Sequence, residues 1–153
     1  MANTQAMCNS FKLQLLTGIH NFGTGVIRAG TGADTFKAAL YFASAAVDST
    51  TTVYTSVGEV TNTSGTGYTA GGVTVTNATP PANTTSTSYW TPSASFSWSA
   101  ASIALFDAVL IYNSTQSNKA VSVHTFGTQT VVAGTFTLTM PTNDASTGLI
   151  RLA

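Results

Sequence analysis

The feature that most constrains the fold is residues 103–127, IALFDAVLIYNSTQSNKAVSVHTFG, which read as two strands facing each other across a polar turn. Residues 103–112 are almost unbroken hydrophobe, rich in β-branched and aromatic types, and short enough for one strand buried on both faces. Asn, Ser, Thr and Gln fill 113–119, and such side chains close loops by bonding their own backbone. Residues 120–126 then alternate, with Val121, Val123 and Thr125 on one face and Ala120, Ser122, His124 and Phe126 on the other. A central antiparallel hairpin is the economical solution, and it sets an all-β expectation for the rest of the chain.

The flanking sequence agrees with that expectation. Residues 34–42 place Phe36, Ala38, Leu40 and Phe42 on a core face and Thr35, Lys37, Ala39 and Tyr41 on a half-exposed one. Residues 43–48 read as one helical turn, 50–60 as a β-prone run broken by Gly58, and 65–72 as a glycine turn feeding a strand at 73–77. Phe96 and Trp98 alternate with serine, and Phe136, Leu138 and Met140 alternate with threonine until Pro141 stops them. A last short strand is expected at 149–152. Between 79 and 92, Pro80, Pro81 and Pro92 forbid a central strand, so this stretch is expected to be a functional or flexible loop that presents Tyr89 and Trp90.

Six to eight strands at such spacings predict a single antiparallel β-sandwich or jelly-roll-like domain over residues 34–153. Ahead of it, residues 1–33 hold a short N-terminal helix, capped by Asn9 or Ser10, with Phe11, Leu15 and Leu16 on one side. A glycine-rich arm follows at 21–32, whose apolar members Phe22, Val26 and Ile27 either reach a neighbouring subunit or fold back over their own sheet.

Composition enters through charge. Five basic and five acidic residues make 7% of the chain, against roughly 25% in an ordinary soluble domain. With 43% apolar residues the chain is not disordered, and 29 threonines supply much of its polar skin. Zero net charge removes the long-range field that draws a protein to nucleic acid or anionic lipid, so neither is an expected partner. A surface with so little repulsion fits life in an assembly. The opening MANTQAMCNS lacks a basic region and an apolar run, and no later stretch has the length of a membrane span, so synthesis in a cytoplasm is expected. Cys8 is the only cysteine, which excludes an internal disulfide.

Candidate chemistry is sparse. Asp107 stands inside the most apolar strand, where a carboxylate must be hydrogen-bonded or shifted in pKa, and a structural bond or an interface position explains it more simply than catalysis. His124 lies on the paired strand within conceivable reach of Asp107, but no G-x-S-x-G elbow or other nucleophile signature accompanies it. His20 sits alone beside the glycine arm. Two histidines, one cysteine and the dispersed acids Asp34, Asp48, Glu59, Asp107 and Asp144 show neither metal-ligand spacing nor a glycosidase pair. No catalytic residue, metal or cofactor is therefore assigned. The partner-contact candidates are Phe22, Val26, Ile27, Tyr89 and Trp90.

The segments SFKLQLLTGIHNF, DTFKAALYF, GEV with GTGYTAGG, ALFDAVLIYNSTQSNKAVSVHTFG and GTFTLTMPTNDASTGLIRLA, in this order, resemble small virion proteins of tailed bacteriophages, as in phages of cyanobacteria and other aquatic bacteria. The resemblance spans nearly the whole chain and brings no catalytic residues with it. It departs at the glycine loop 23–32 and the Pro/Thr stretch 79–87. What it implies is a structural protein of the virion. A capsid cement or decoration protein is expected, bound to the major capsid protein at capsomer junctions as a homo-oligomer, with three-fold symmetry the guess. The alternative expectation is a tail or fibre component that recognises host glycan through Tyr89 and Trp90.

Overall fold

The computed structural model describes residues 2–23, 32–60 and 67–153. Its framework is the expected hairpin, longer than its apolar runs predict: β6 (Phe96–Asn113) and β7 (Lys119–Leu138) pair antiparallel from Phe96↔Leu138 to Asn113↔Lys119. Near the turn, Ala108 to Asn113 and Ala120 to Val123 are all buried, as a strand covered on both faces requires. Around them the first sheet runs β1-β7-β6-β2-β3, with β1 (Ala6–Met7), β2 (Phe36–Phe42) and β3 (Val73–Thr74). A second sheet runs β4-β5-β8, with β4 (Ala82–Thr84), β5 (Thr87–Trp90) and β8 (Ile150–Leu152). The two antiparallel sheets pack together through the Trp90 ring of β5, edge-on to Phe22 at 4.7 Å, while Phe22 stacks on Phe36 of β2 at 4.3 Å. The protein is an all-β sandwich with one short helix, α1 (Asn9–Leu16), whose Phe11 closes the same aromatic cluster.

Several expectations are corrected. The 79–92 stretch is not an open loop: β4 and β5 form a hairpin that turns at Thr85 and Ser86, with Thr85 at φ 38°, and β8 adds to it. Prolines 80, 81 and 92 lie outside these strands, so the ban on a central strand is respected by a peripheral one. On β2 both faces are covered, and Tyr41 is 0% exposed because loop 54–60 lies over it. The β-prone run 50–60 forms no strand; it contributes isolated bridges, Val53↔Lys119 and Tyr41↔Glu59. Residues 43–48 make turns rather than a helical turn. The helix is capped by Cys8 without a side-chain bond, Asn9 is its first residue, and Leu16 points outward at 87% exposure. Two glycines are obligatory here: Gly72 (φ +71) and Gly67 (φ +66) run so close to Ala38 and Ala100 that a Cβ would fall on their carbonyls.

The hairpin turn is closed by Asn113, which is fully buried and uses all its hydrogen-bonding capacity. Its Oδ1 accepts the N–H groups of Thr115 and Gln116, both at 3.1 Å, which shapes the turn. Its Nδ2 donates to Asp34 Oδ2 at 2.7 Å and to His20 Nδ1 at 3.0 Å, which ties the turn to the entry of β2 and to the segment after α1. Removing this amide strips donors from a buried carboxylate and a ring nitrogen at once. Asn113→Ala is expected to cost about 3 kcal/mol or more in urea unfolding. Ser114→Ala should cost under about 1 kcal/mol, because the Ser114 hydroxyl repeats a bond to Thr35 O that its own N–H already makes. Equal effects in the two variants would remove Asn113 from this role.

Candidate interaction surface

Each of the five carboxylates is engaged by donors of its own chain. Asp34, 5% exposed, accepts Asn21 N–H at 2.7 Å, Asn113 Nδ2 at 2.7 Å and Gln116 Nε2 at 3.0 Å. Glu59, 3% exposed, accepts the Tyr54 hydroxyl at 2.5 Å, the Tyr68 hydroxyl at 2.7 Å and Gly71 N–H at 2.6 Å. Asp107 accepts the Asn3 side-chain amide, which also donates to Phe42 O at 3.0 Å and accepts Val47 N–H at 3.1 Å. Asp48 is held below its ordinary range by the hydroxyl and N–H of Thr50. Asp144 is lowered by the N–H groups of Thr147 and Ser146. These are the bonds that fix loops: Glu59 joins residues 54, 68 and 71, and Asp107 pins the N-terminal segment to a bulge where β2 and β6 slip register.

The phenols that serve Glu59 stay protonated, as donors must. Burial, then the bond to Glu59, pushes Tyr54 and Tyr68 well above the ordinary tyrosine range, and burial lifts Tyr112 to about 12. Tyr68 oxygen also accepts Leu40 N–H at 3.0 Å, and Tyr112 donates to Gly71 O at 2.8 Å while stacking on Tyr54 at 4.7 Å. This hub was not legible in the sequence, since its members are scattered from residue 40 to 112. The one local signal was a lone acid in GEV beside a tyrosine-bearing glycine turn.

Among the described residues, no nucleophilic arrangement is assembled around the histidines. Asp107 is held by Asn3 and sits in the β6 bulge, whereas His124 pairs across from Val109 and bonds Ser122 on its own strand at 2.9 Å. His20 bridges Gln14 Oε1 at 2.7 Å and Asn113, and this pattern places its proton on Nε2. Cys8 is buried, and burial followed by the Asp48 charge raises its thiol to about 11, which leaves little thiolate at neutral pH. Among the described residues no group of three or more His, Cys, Asp or Glu side chains could hold a metal ion, and no helix is long and apolar enough to cross a membrane.

The sequence-derived contact residues fall in different places. Phe22 and Trp90 are inside the fold, at 9% and 2% exposure, and Asn77 links them by accepting Trp90 Nε1 at 2.8 Å and donating to Phe22 O at 2.8 Å. Of the two alternatives for the arm, Phe22 takes the one that folds back. Tyr89 is half-buried at an apolar recess of about 120 Å³ between α1 and the second sheet, a volume below the usual range of about 300–1,000 Å³ for ligand sites. Val26 and Ile27 lie outside the described residues. The apolar side chains that do face outward are others: Leu13 and Leu16 on α1, Val53 and Val57 in the 50–60 loop, Leu105 and Val132 on the hairpin, and Leu152 on β8. Leu105 and Val132 belong to the far half of the β6–β7 hairpin, a two-stranded ribbon beyond the reach of β1 and β2. Sequence alternation could not single them out, because alternating bulges change which residues face out.

No family model, curated protein or solved structure matches the chain.

The half-buried imidazole of His124 gives a pH signature. Burial pushes His124 from 6.5 down to about 4. The unfolded chain therefore binds a proton in the window between these values that the folded chain refuses, and stability falls as pH drops from about 6.5 towards 4. The full shift corresponds to about 3 kcal/mol at most. Urea unfolding of the native protein and of His124→Asn at pH 7 and pH 4.5 should show a smaller loss in the variant. Parallel losses would contradict an imidazole held neutral by the fold.

Proposed function

We propose that the chain is a structural subunit of a tailed-bacteriophage particle, a cement or decoration protein on the outer capsid surface that joins capsomers by non-covalent packing. The observation that carries this reading is the disposition of charge: all five carboxylates serve as acceptors for the chain's own donors, while uncharged apolar side chains stand outside. A domain arranged this way has its polar chemistry committed to holding its shape, and its free surface suits contact. The resemblance of nearly the whole sequence to small phage virion proteins supplies the particle. Its partners are the major capsid protein and copies of itself, and it acts without turnover.

Mechanistically, a protein that binds the assembled shell and not its separated subunits stabilises the shell by mass action. Shallow apolar contacts repeated at every junction suffice, since each needs only modest affinity when neighbours hold the protein in place. The alternative of a host-recognition component leaned on Tyr89 and Trp90 as an exposed sugar platform. With the Trp90 indole 2% exposed and bonded to Asn77, no specific observation favours it.

Densitometry of purified particles is expected to find the chain at a copy number comparable to the major capsid protein, and particles lacking it should lose packaged DNA on mild heating while still adsorbing to cells. A few copies per particle, with adsorption lost instead, would replace this reading with host recognition.

A further inference from the structure

The far half of the β6–β7 hairpin is built as an edge that another strand can extend. β1 covers the outer side of β7 only at Ser122 and Val123, and β2 covers the outer side of β6 only as far as Phe106. Beyond these points, among the described residues, neither strand has a further strand partner; β6 accepts the Ala43 N–H at Leu105 O and is approached by Gly67 at Ala100, and β7 donates Thr125 N–H to Gln5 Oε1, all of them away from residues 134–138. Edges of this kind are normally blunted by lysine, by proline or by an inward charge. Here no charged residue and no proline lies between Lys119 and Leu138, the end of β7, and the next charge is Asp144.

Bulges are the remaining protection, and they miss one segment. Non-glycine residues at positive φ, Ala100, Leu105 and Ala133, mark where the ribbon is kinked. From Gly134 to Leu138, however, β7 continues without an inserted residue; the one extra residue between Trp98 and Ala101 is on β6. The five residues Gly-Thr-Phe-Thr-Leu alternate cleanly, with Thr135 and Thr137 exposed and Phe136 and Leu138 half-buried. Phe136 is backed by Trp98 at 5.8 Å and Phe106 at 4.8 Å, so the strand is presented on a rigid aromatic bed.

We propose that residues 134–138 of β7 pair antiparallel with the same residues of a second copy of this chain about a two-fold axis at Phe136, giving a continuous ribbon β6-β7-β7-β6. A second copy is the occupant that fits, because a neutral threonine edge offers nothing to a charged partner, and an antiparallel pairing of identical segments satisfies both copies at once. The register sets Thr135 opposite the partner's Thr137, a favourable cross-strand pair, and Phe136 opposite the partner's Phe136. The inference rests on the reading of the chain as a subunit of an assembly and adds to it the contacting edge and its symmetry. It differs from the three-fold arrangement expected from the sequence, which would have to join the β7 edge to a different edge of the next copy.

A five-residue pairing is a small contact, so the isolated protein should dimerise weakly. Sedimentation of the full chain up to about 1 mM is expected to show a monomer–dimer equilibrium, and hydrogen exchange at high concentration should slow at amides within 134–138 and not at 127–130. The variant Thr135→Lys with Thr137→Lys, at two exposed positions, brings like charges together across the axis and should raise the dissociation constant at least about tenfold. Thr128→Lys, exposed on the same strand outside the register, should leave it unchanged. A strict monomer, a trimer, or a dimer indifferent to the 135/137 charges overturns the proposal. If the doubly charged variant is monomeric and still decorates particles, the function stands and this contact is not needed for it; if neither variant nor native chain is found on particles, the functional reading fails while the dimer stands.

Discussion

The structure depends on the way one buried amide closes the central hairpin. Asn113 lies where β6 ends, and its bonds to Thr115, Gln116, Asp34 and His20 fix the turn, the start of β2 and the segment after α1 together. Register in an antiparallel pair is set at its turn, and a slip by one residue would exchange the faces of both strands. Fixing the turn therefore fixes which side chains of the 108–113 and 120–123 runs meet α1 and which meet the loops. Glu59 plays the corresponding part on the other flank of β2, where a carboxylate with three donors gathers residues 54, 68 and 71 against it. Each of these hydrogen bonds offsets part of the hydration that the buried carboxylate loses.

Scarcity of charge follows from the same economy. A chain with only five acids, each hydrogen-bonded to donors of its own chain, keeps its loops in place and leaves few charges, Asp48 and Asp144 among them, for repulsion at the solvent side. Threonine and serine then have to cover the exterior. The result is a surface on which Leu16, Val57 and Val132 can stand almost fully exposed beside hydroxyls, and where a neutral neighbour meets little resistance. The proposed reading of the chain as an assembly component grows from this property.

What could be read from the sequence was whatever depends on short-range pattern. The hairpin at 103–127, the strand at 36–42, the helix around Phe11 and the terminal strand all announce themselves by periodicity or by an apolar run. The hairpin of β4 and β5 did not, because its strands, ANT and TSYW, carry no apolar alternation and are flanked by proline; tertiary packing of Trp90 makes them strands. The site was less legible. Trp90 read as a loop aromatic and Phe22 as a residue that either reaches a neighbour or folds back, yet the two meet in the core across 68 positions of sequence, a coincidence that no local rule encodes. Glu59 and Asp34 read as members of a dispersed set of acids, and their burial becomes visible only once the donors from distant segments are in place.

The central claim is that carboxylate-centred hubs, rather than strand pairing alone, hold the loops to the sandwich. Native-state hydrogen exchange tests it most directly at Gly71 N–H and Asn21 N–H, loop amides that donate to Glu59 and Asp34. They are predicted to exchange only through global unfolding, with the same free energy as the Leu110 and Val123 amides of the hairpin. Exchange of Gly71 and Asn21 through local opening, far ahead of the hairpin, would contradict the account.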